Sequence, residues 1–177
     1  MLAVAPDASS SVSAETQRLC QPEARRPCRK AAAPTVYFDT WALAKLLLEE
    51  EGSELADAPW TQSRVRATWR LAYPQARAAF AAAHRAGRLD GRALLRVVLD
   101  LDDLLSASMV SDIDAQLART AGQLAERHAL RGYDAVHLAT ALSVAHDRLV
   151  VTWDTDLAQA ALTAGLAVTP TSGRAPW

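Results

Sequence analysis

The chain has 177 residues, 50 % hydrophobic and 22 % charged, enough to bury one sizeable core without disulfide or metal staples. A formal net charge of −1 and a pI near 6.4 exclude a molecule that holds nucleic acid by overall charge, so any nucleic-acid site must be local. No run of about 18 apolar residues is present, and Pro6, Asp7 and the serines after them break up any secretory signal, so no membrane span and a cytoplasmic location are expected.

In chain order, residues 1–34 are rich in Ser, Arg, Pro and Ala without apolar periodicity and read as a disordered extension ahead of one domain over 35–172. Both cysteines, Cys20 and Cys28, fall in that extension and lack partners at zinc-ligand spacing, so free thiols are expected. Thr35-Val36-Tyr37-Phe38 is a β-branched and aromatic run that stops at Asp39, which predicts a strand ending in a carboxylate. From Trp41, Leu43, Leu46 and Leu47 recur at helical spacing. Glu49, Glu50 and Glu51 then form a solvated end, and Gly52 supplies a stop. A short helix is expected over 53–60 and a strand over 64–69, where Val65, Ala67 and Trp69 share a face.

Pro74 fits the first position of a helix whose apolar face is Ala76, Ala79, Phe80 and Ala83 and which Gly87 closes. A further helix runs from Asp90 to about Asp102, and Leu104 to Val110 reads as an edge strand. Ser111 is the expected N-cap of a long helix ending near Gly132, and another helix starts at about Asp134. Leu149 to Trp153 is a nearly continuous apolar strand ending at Asp154. A helix from Thr155 to Ala164, a Gly165 cap and a strand over 166–169 complete the pattern. This alternation of strands and helices predicts an α/β domain with a mainly parallel sheet.

Asp39 and Asp154 directly follow the two clearest strands, and in an open parallel sheet the carboxyl ends of strands border the ligand crevice. Asp134, at a helix start, lies where free N–H groups and the helix dipole favour an ionised carboxylate. Three carboxylates in one pocket would repel one another unless a cation intervened. Mg²⁺ suits such a site, since it takes oxygen ligands, keeps several waters and needs only one or two protein carboxylates plus substrate phosphate. The spacing alone leaves the alternative that these aspartates are turn formers and helix caps.

Four segments are more specific: Val36-Tyr37-Phe38-Asp39-Thr40 with Glu50-Glu51-Gly52-Ser53 after it, Leu71 to Ala79, Leu130 to Ala141, and Val151-Thr152-Trp153-Asp154. In this order the chain resembles the PIN-domain family, particularly the VapC-like ribonuclease toxins of bacterial toxin–antitoxin pairs, over Thr35 to about Pro170. The resemblance implies a PIN-like three-layer fold, with a central mainly parallel sheet of four or five strands flanked by helices, and Mg²⁺-dependent or Mn²⁺-dependent cleavage of RNA. It assigns Asp39 and Asp134 as the principal metal ligands. Asp154 completes the acidic pocket, Asp156 is an auxiliary group, and Thr152 places a hydroxyl nearby. Gln75 stands where family members place a glutamate, keeping an oxygen acceptor but losing a charge. A different register would put Arg66 there, at the expense of the match around Ala76 to Ala79. Trp41 and Trp69 replace small hydroxyl residues common in the family. The implied partners are an RNA substrate, a cognate antitoxin and a second copy in a homodimer.

The other candidates read more plainly. His137, three residues after Asp134, shares its helical face and suits a packed core histidine better than a pocket group, while His84, His128 and His146 read as surface or partly buried helix residues. No nucleophile elbow supports a Ser-His-Asp triad, and Asp39-Thr40-Trp41 lacks the second aspartate of an aspartyl phosphatase. Two functions remain in competition: a toxin ribonuclease, and a non-catalytic descendant that binds antitoxin or RNA without cutting, which Gln75 keeps in play.

Overall fold

The computed structural model describes residues 34–48, 51–144 and 148–170. The N-terminal extension, both cysteines, His146, Glu49 and Glu50, for which the sequence gives expectations, lie outside the described residues. Among the described residues, five strands form one wholly parallel sheet: β1 (Thr35–Phe38), β2 (Val65–Trp69), β3 (Met109–Ser111), β4 (Arg148–Val151) and β5 (Ala167–Thr169). They are arranged β3-β2-β1-β4-β5, with β1 at the centre and Val36 opposite both Arg66 and Leu149. Among the described residues, seven helices make the crossovers: α1 (Thr40–Leu47), α2 (Ser53–Gln62), α3 (Ala72–Arg85), α4 (Gly91–Ser106), α5 (Ala115–His128), α6 (Gly132–Ser143) and α7 (Thr155–Thr163). None of these helices is long and apolar enough to cross a membrane.

The pleat sorts the strand side chains into two cores. Tyr37, Ala67, Val150 and Val168 pack against α5, α6 and α7 through Leu124, Leu138, Leu157 and Ala161. Val36, Phe38 and Val151 pack on the other face against Leu43 of α1 and Ala56 of α2. A third group under α3 and α4 is built from Ala76, Phe80, Val97 and Leu101. The three layers of the expected α/β fold are therefore present. Gly52 takes a left-handed φ of 86°, the conformation that favours glycine at the turn into α2.

Several boundaries differ from expectation. Helix α3 begins at Ala72, so Pro74 is its third residue, and the early start buries Ala72 at the end of β2. Helix α4 runs on to Ser106 because Leu101 and Leu105 continue its core-facing spacing, which leaves only Met109–Ser111 as the edge strand. Ser111 pairs with Trp69 in the sheet, and Asp114 instead caps α5, accepting from Leu117 N at 2.7 Å. Helix α5 stops at His128, where Ala129 turns left-handed at φ 53°, and α6 then begins at Gly132. Strand β4 ends at Val151, so Thr152 and Trp153 form the bend that delivers Asp154.

Candidate active site

The carboxyl ends of β1 and β4 lie side by side, and the Asp39 N–H donates to Val151 O at 3.1 Å. Asp39 caps α1, with Oδ1 accepting from Ala42 N at 2.6 Å, while Oδ2 accepts from the Thr152 hydroxyl. Asp154 caps α7 by accepting from Leu157 N at 2.8 Å, and its own N–H donates to Thr152 Oγ1 at 3.0 Å. One threonine thus ties the two strand ends together. Asp134 comes from the first turn of α6. All three carboxylates line one cleft of about 310 Å³, together with Thr40, Trp41, Gln75, Tyr133 and His137.

The electrostatics of the cleft are those of excess negative charge. Asp39 is 1 % exposed, and burial raises its pKa to about 7 against the hydrogen bonds from Thr152 and Ala42, with the Asp154 charge adding to the rise. Asp134 is also held above the ordinary carboxylate value, first by burial and then by the Asp154 and Asp156 charges, although Arg131 opposes them. Arg131, the residue before α6, was not singled out by sequence. Its Nε donates to Asp134 Oδ2 at 2.9 Å and its Nη2 to Asp154 Oδ2 at 3.0 Å. Position alone could have drawn attention to it, as an arginine three residues before a candidate acid on a helix start. Asp156 is exposed on α7 and does not line the cleft, so it acts there only through its charge.

Gln75 lines the cleft from the first turns of α3, and Thr40 Oγ1 donates to its Oε1 at 2.5 Å. Arg66 does not enter: its Nε donates to Trp60 O at 2.9 Å and its guanidinium lies over the Trp60 ring. Of the two candidate residues, Gln75 is the one that lines the cleft. His137 meets both sequence readings. It is 5 % exposed, its Nδ1 is 2.8 Å from the Tyr37 hydroxyl, and it still reaches the cleft floor. Burial lowers its pKa to about 3, so it is neutral. Trp41 lines the cleft, whereas Trp69 is buried edge-on to Tyr133 and beside His137.

The donor set fits a hard divalent cation. It consists of carboxylate oxygens, two of its members are pushed toward the protonated state, and an exposed arginine partly neutralises the pair at the mouth. Among the described residues no three His, Cys, Asp or Glu side chains converge tightly enough to enclose an ion alone. Mg²⁺ does not require this, because water and phosphate complete its octahedron. A larger groove of about 620 Å³ at the far ends of α1 and α3 carries Arg88, Arg92 and Arg96 but no such acidic cluster.

The PIN domain family matches residues 36–162. Ribonuclease VapC45 of Mycobacterium tuberculosis (strain CDC 1551 / Oshkosh) is 46 % identical over 138 residues, 77 % of this chain and 96 % of that protein. Among solved structures, PAE2754 from Pyrobaculum aerophilum superposes with a TM-score of 0.57 at 25 % identity, covering 78 % of this chain and 92 % of that one. A chain of a toxin-antitoxin complex from Klebsiella pneumoniae superposes with a TM-score of 0.50 at 19 % identity, covering 68 % and 87 %. With a matched stretch that runs from β1 to α7 and a relative this similar over nearly its whole length, the chain belongs to the PIN-domain family, alongside its VapC ribonucleases.

Proposed function

We propose that this protein is an Mg²⁺-dependent endoribonuclease toxin, with Mn²⁺ as a substitute ion, that is neutralised by a cognate antitoxin. The observation that carries the reading is the convergence of Asp39, Asp134 and Asp154 on one cleft at the carboxyl edge of a parallel sheet. Asp39 and Asp134 would hold the cation. Once bound, it supplies a more acidic water and stabilises charge at the phosphodiester. Asp154 adds negative charge to the pocket and positions Arg131 at its mouth. Thr152 holds the Asp39 carboxylate in place, and burial of Asp39 shields it from competing water. The antitoxin follows from the toxin-antitoxin complex among the similar structures and from the VapC relative, and a homodimer and a cytoplasmic site of action belong to the same reading.

The test is cleavage of labelled RNA by purified protein in Mg²⁺, with and without chelator, beside Asp39→Asn and Asp134→Asn. Cleavage is expected only in the parent with metal, and parental rates in both variants would discard the assignment. The second reading, a protein that binds RNA or antitoxin without cutting, is favoured by one observation: Gln75 brings no charge to the cleft and its oxygen is already engaged by Thr40. RNA binding without metal-dependent cleavage would select it.

A further inference from the structure

The cleft wall contains a chain of hydrogen bonds that the proposed metal chemistry does not use. It runs from Tyr37 in β1 through His137 in α6 and Thr40 in α1 to Gln75 in α3, with separations of 2.8, 3.5 and 2.5 Å. All but Gln75 are buried. The chain has a polarity, set at its cleft end. A separation of 2.5 Å suits a hydroxyl donating to a carbonyl oxygen and is shorter than amide N–H bonds to oxygen, which begin near 2.7 Å. Thr40 therefore spends its proton on Gln75 Oε1, and its lone pairs are left for the His137 Nε2–H. An uncharged imidazole with hydrogen on Nε2 leaves Nδ1 as an acceptor, to which the Tyr37 hydroxyl donates.

The consequence falls on the other end of the amide. With Oε1 turned toward Thr40, the Gln75 Nε2 carries two N–H donors that bond to no other described residue, and the side chain lines a cleft otherwise rich in acceptors. We infer that Gln75 holds a non-bridging oxygen of an RNA phosphate through its amide N–H groups and is not a ligand of the metal. This rests on the ribonuclease reading above and assigns this residue to the substrate side of the site. The Tyr37–His137–Thr40 chain is its positioning apparatus, which sets which face of the amide meets the cleft.

Two binding measurements test this without turnover. The first is Mn²⁺ affinity in the absence of RNA, by electron paramagnetic resonance, and the second is binding of a fluorescent mixed-sequence oligoribonucleotide by anisotropy in Ca²⁺. Gln75→Ala should leave Mn²⁺ affinity within about twofold and weaken RNA binding roughly tenfold, the scale of a hydrogen bond lost to a charged group. Thr40→Val should weaken RNA binding similarly, and the double variant should lose little more, because both act through one contact. In steady-state cleavage the loss should fall on KM more than on kcat. A several-fold loss of Mn²⁺ affinity in Gln75→Ala, or unchanged RNA binding, would overturn the inference. A parent that binds RNA with this Gln75 dependence but never cuts it would sink the ribonuclease reading and leave this one standing. A parent that binds no RNA sinks both.

Discussion

Arg131 donates from Nε to the Asp134 carboxylate across 2.9 Å, three residues along the chain, and the same guanidinium reaches Asp154 from its Nη2. The cleft thus carries its own counter-cation. Its side chain is 74 % exposed, and among the described residues it is anchored by the two acids it bridges. On the proposed assignment, an entering divalent ion and Arg131 would draw on the same oxygens and compete.

Arg131→Gln should therefore tighten Mn²⁺ binding about two- to fivefold, the scale of an exposed ion pair. It should also steepen the pH dependence of that binding, since Arg131 lowers the proton affinity of Asp134 and its loss leaves that carboxyl still more easily protonated. Isothermal titration with Mn²⁺ at two pH values measures both effects. Weaker binding at every pH would show that Arg131 organises the ligands rather than competing for them.

Asp39 binds its proton more tightly in the folded protein, with a pKa of about 7, than in the unfolded chain, where an aspartate titrates near pH 4. Its protonation favours folding, so this contribution is complete below about pH 4 and is lost as pH rises to about 7. The loss amounts to at most about 4 kcal/mol. In metal-free protein Asp39→Asn should melt higher than the parent at pH 7.5, and the gap should close by pH 4. Divalent metal should raise the parent's Tm and leave the variant's unchanged. Melting curves across pH, with and without Mg²⁺, give the comparison, and parallel curves for the two proteins would mean that Asp39 is not held neutral.

Phe80 is fully buried between α3 and α4 against Val97 and Leu101. Phe80→Ala should cost about 3–5 kcal/mol and lower the Tm by about 10 °C or more. Because the cavity lies behind the Gln75 helix and not in the cleft, RNA cleavage well below the melting temperature should be retained. Denaturant unfolding gives the energy, and a loss under about 1 kcal/mol would show that this corner is loosely packed.

Residues 1–33 lack the apolar periodicity of a core-facing segment. A chain beginning at Pro34 should then unfold as cooperatively as the full one. Calorimetry of the shortened protein checks this, and a broadened transition would place part of the core before Pro34.

Asp39 and Asp154 were legible in the sequence because each ends a run whose β-branched and apolar residues already define a strand, and Asp134 because it opens a helical repeat. Parallel pairing follows from the alternation of such strands with helices, and the site's position follows from parallel pairing. Where local patterns were degenerate, tertiary contacts decided. Leu104 and Leu105 suit strand or helix until Leu101 and Leu105 pack under α3, and Ser111 suits a cap until it pairs with Trp69. The same holds for the fine structure of the cleft. Tyr37 and His137 are 100 residues apart, and Arg131 and Asp154 are 23 apart. What joins them is the strand order β2-β1-β4, which sets α1, α3, α6 and α7 around one sheet edge. Periodicity and capping report on neighbours within about a helical turn, so they could name the acids and draw attention to Arg131 beside Asp134, but not its second bridge to Asp154 or the threonine that turns the Gln75 amide.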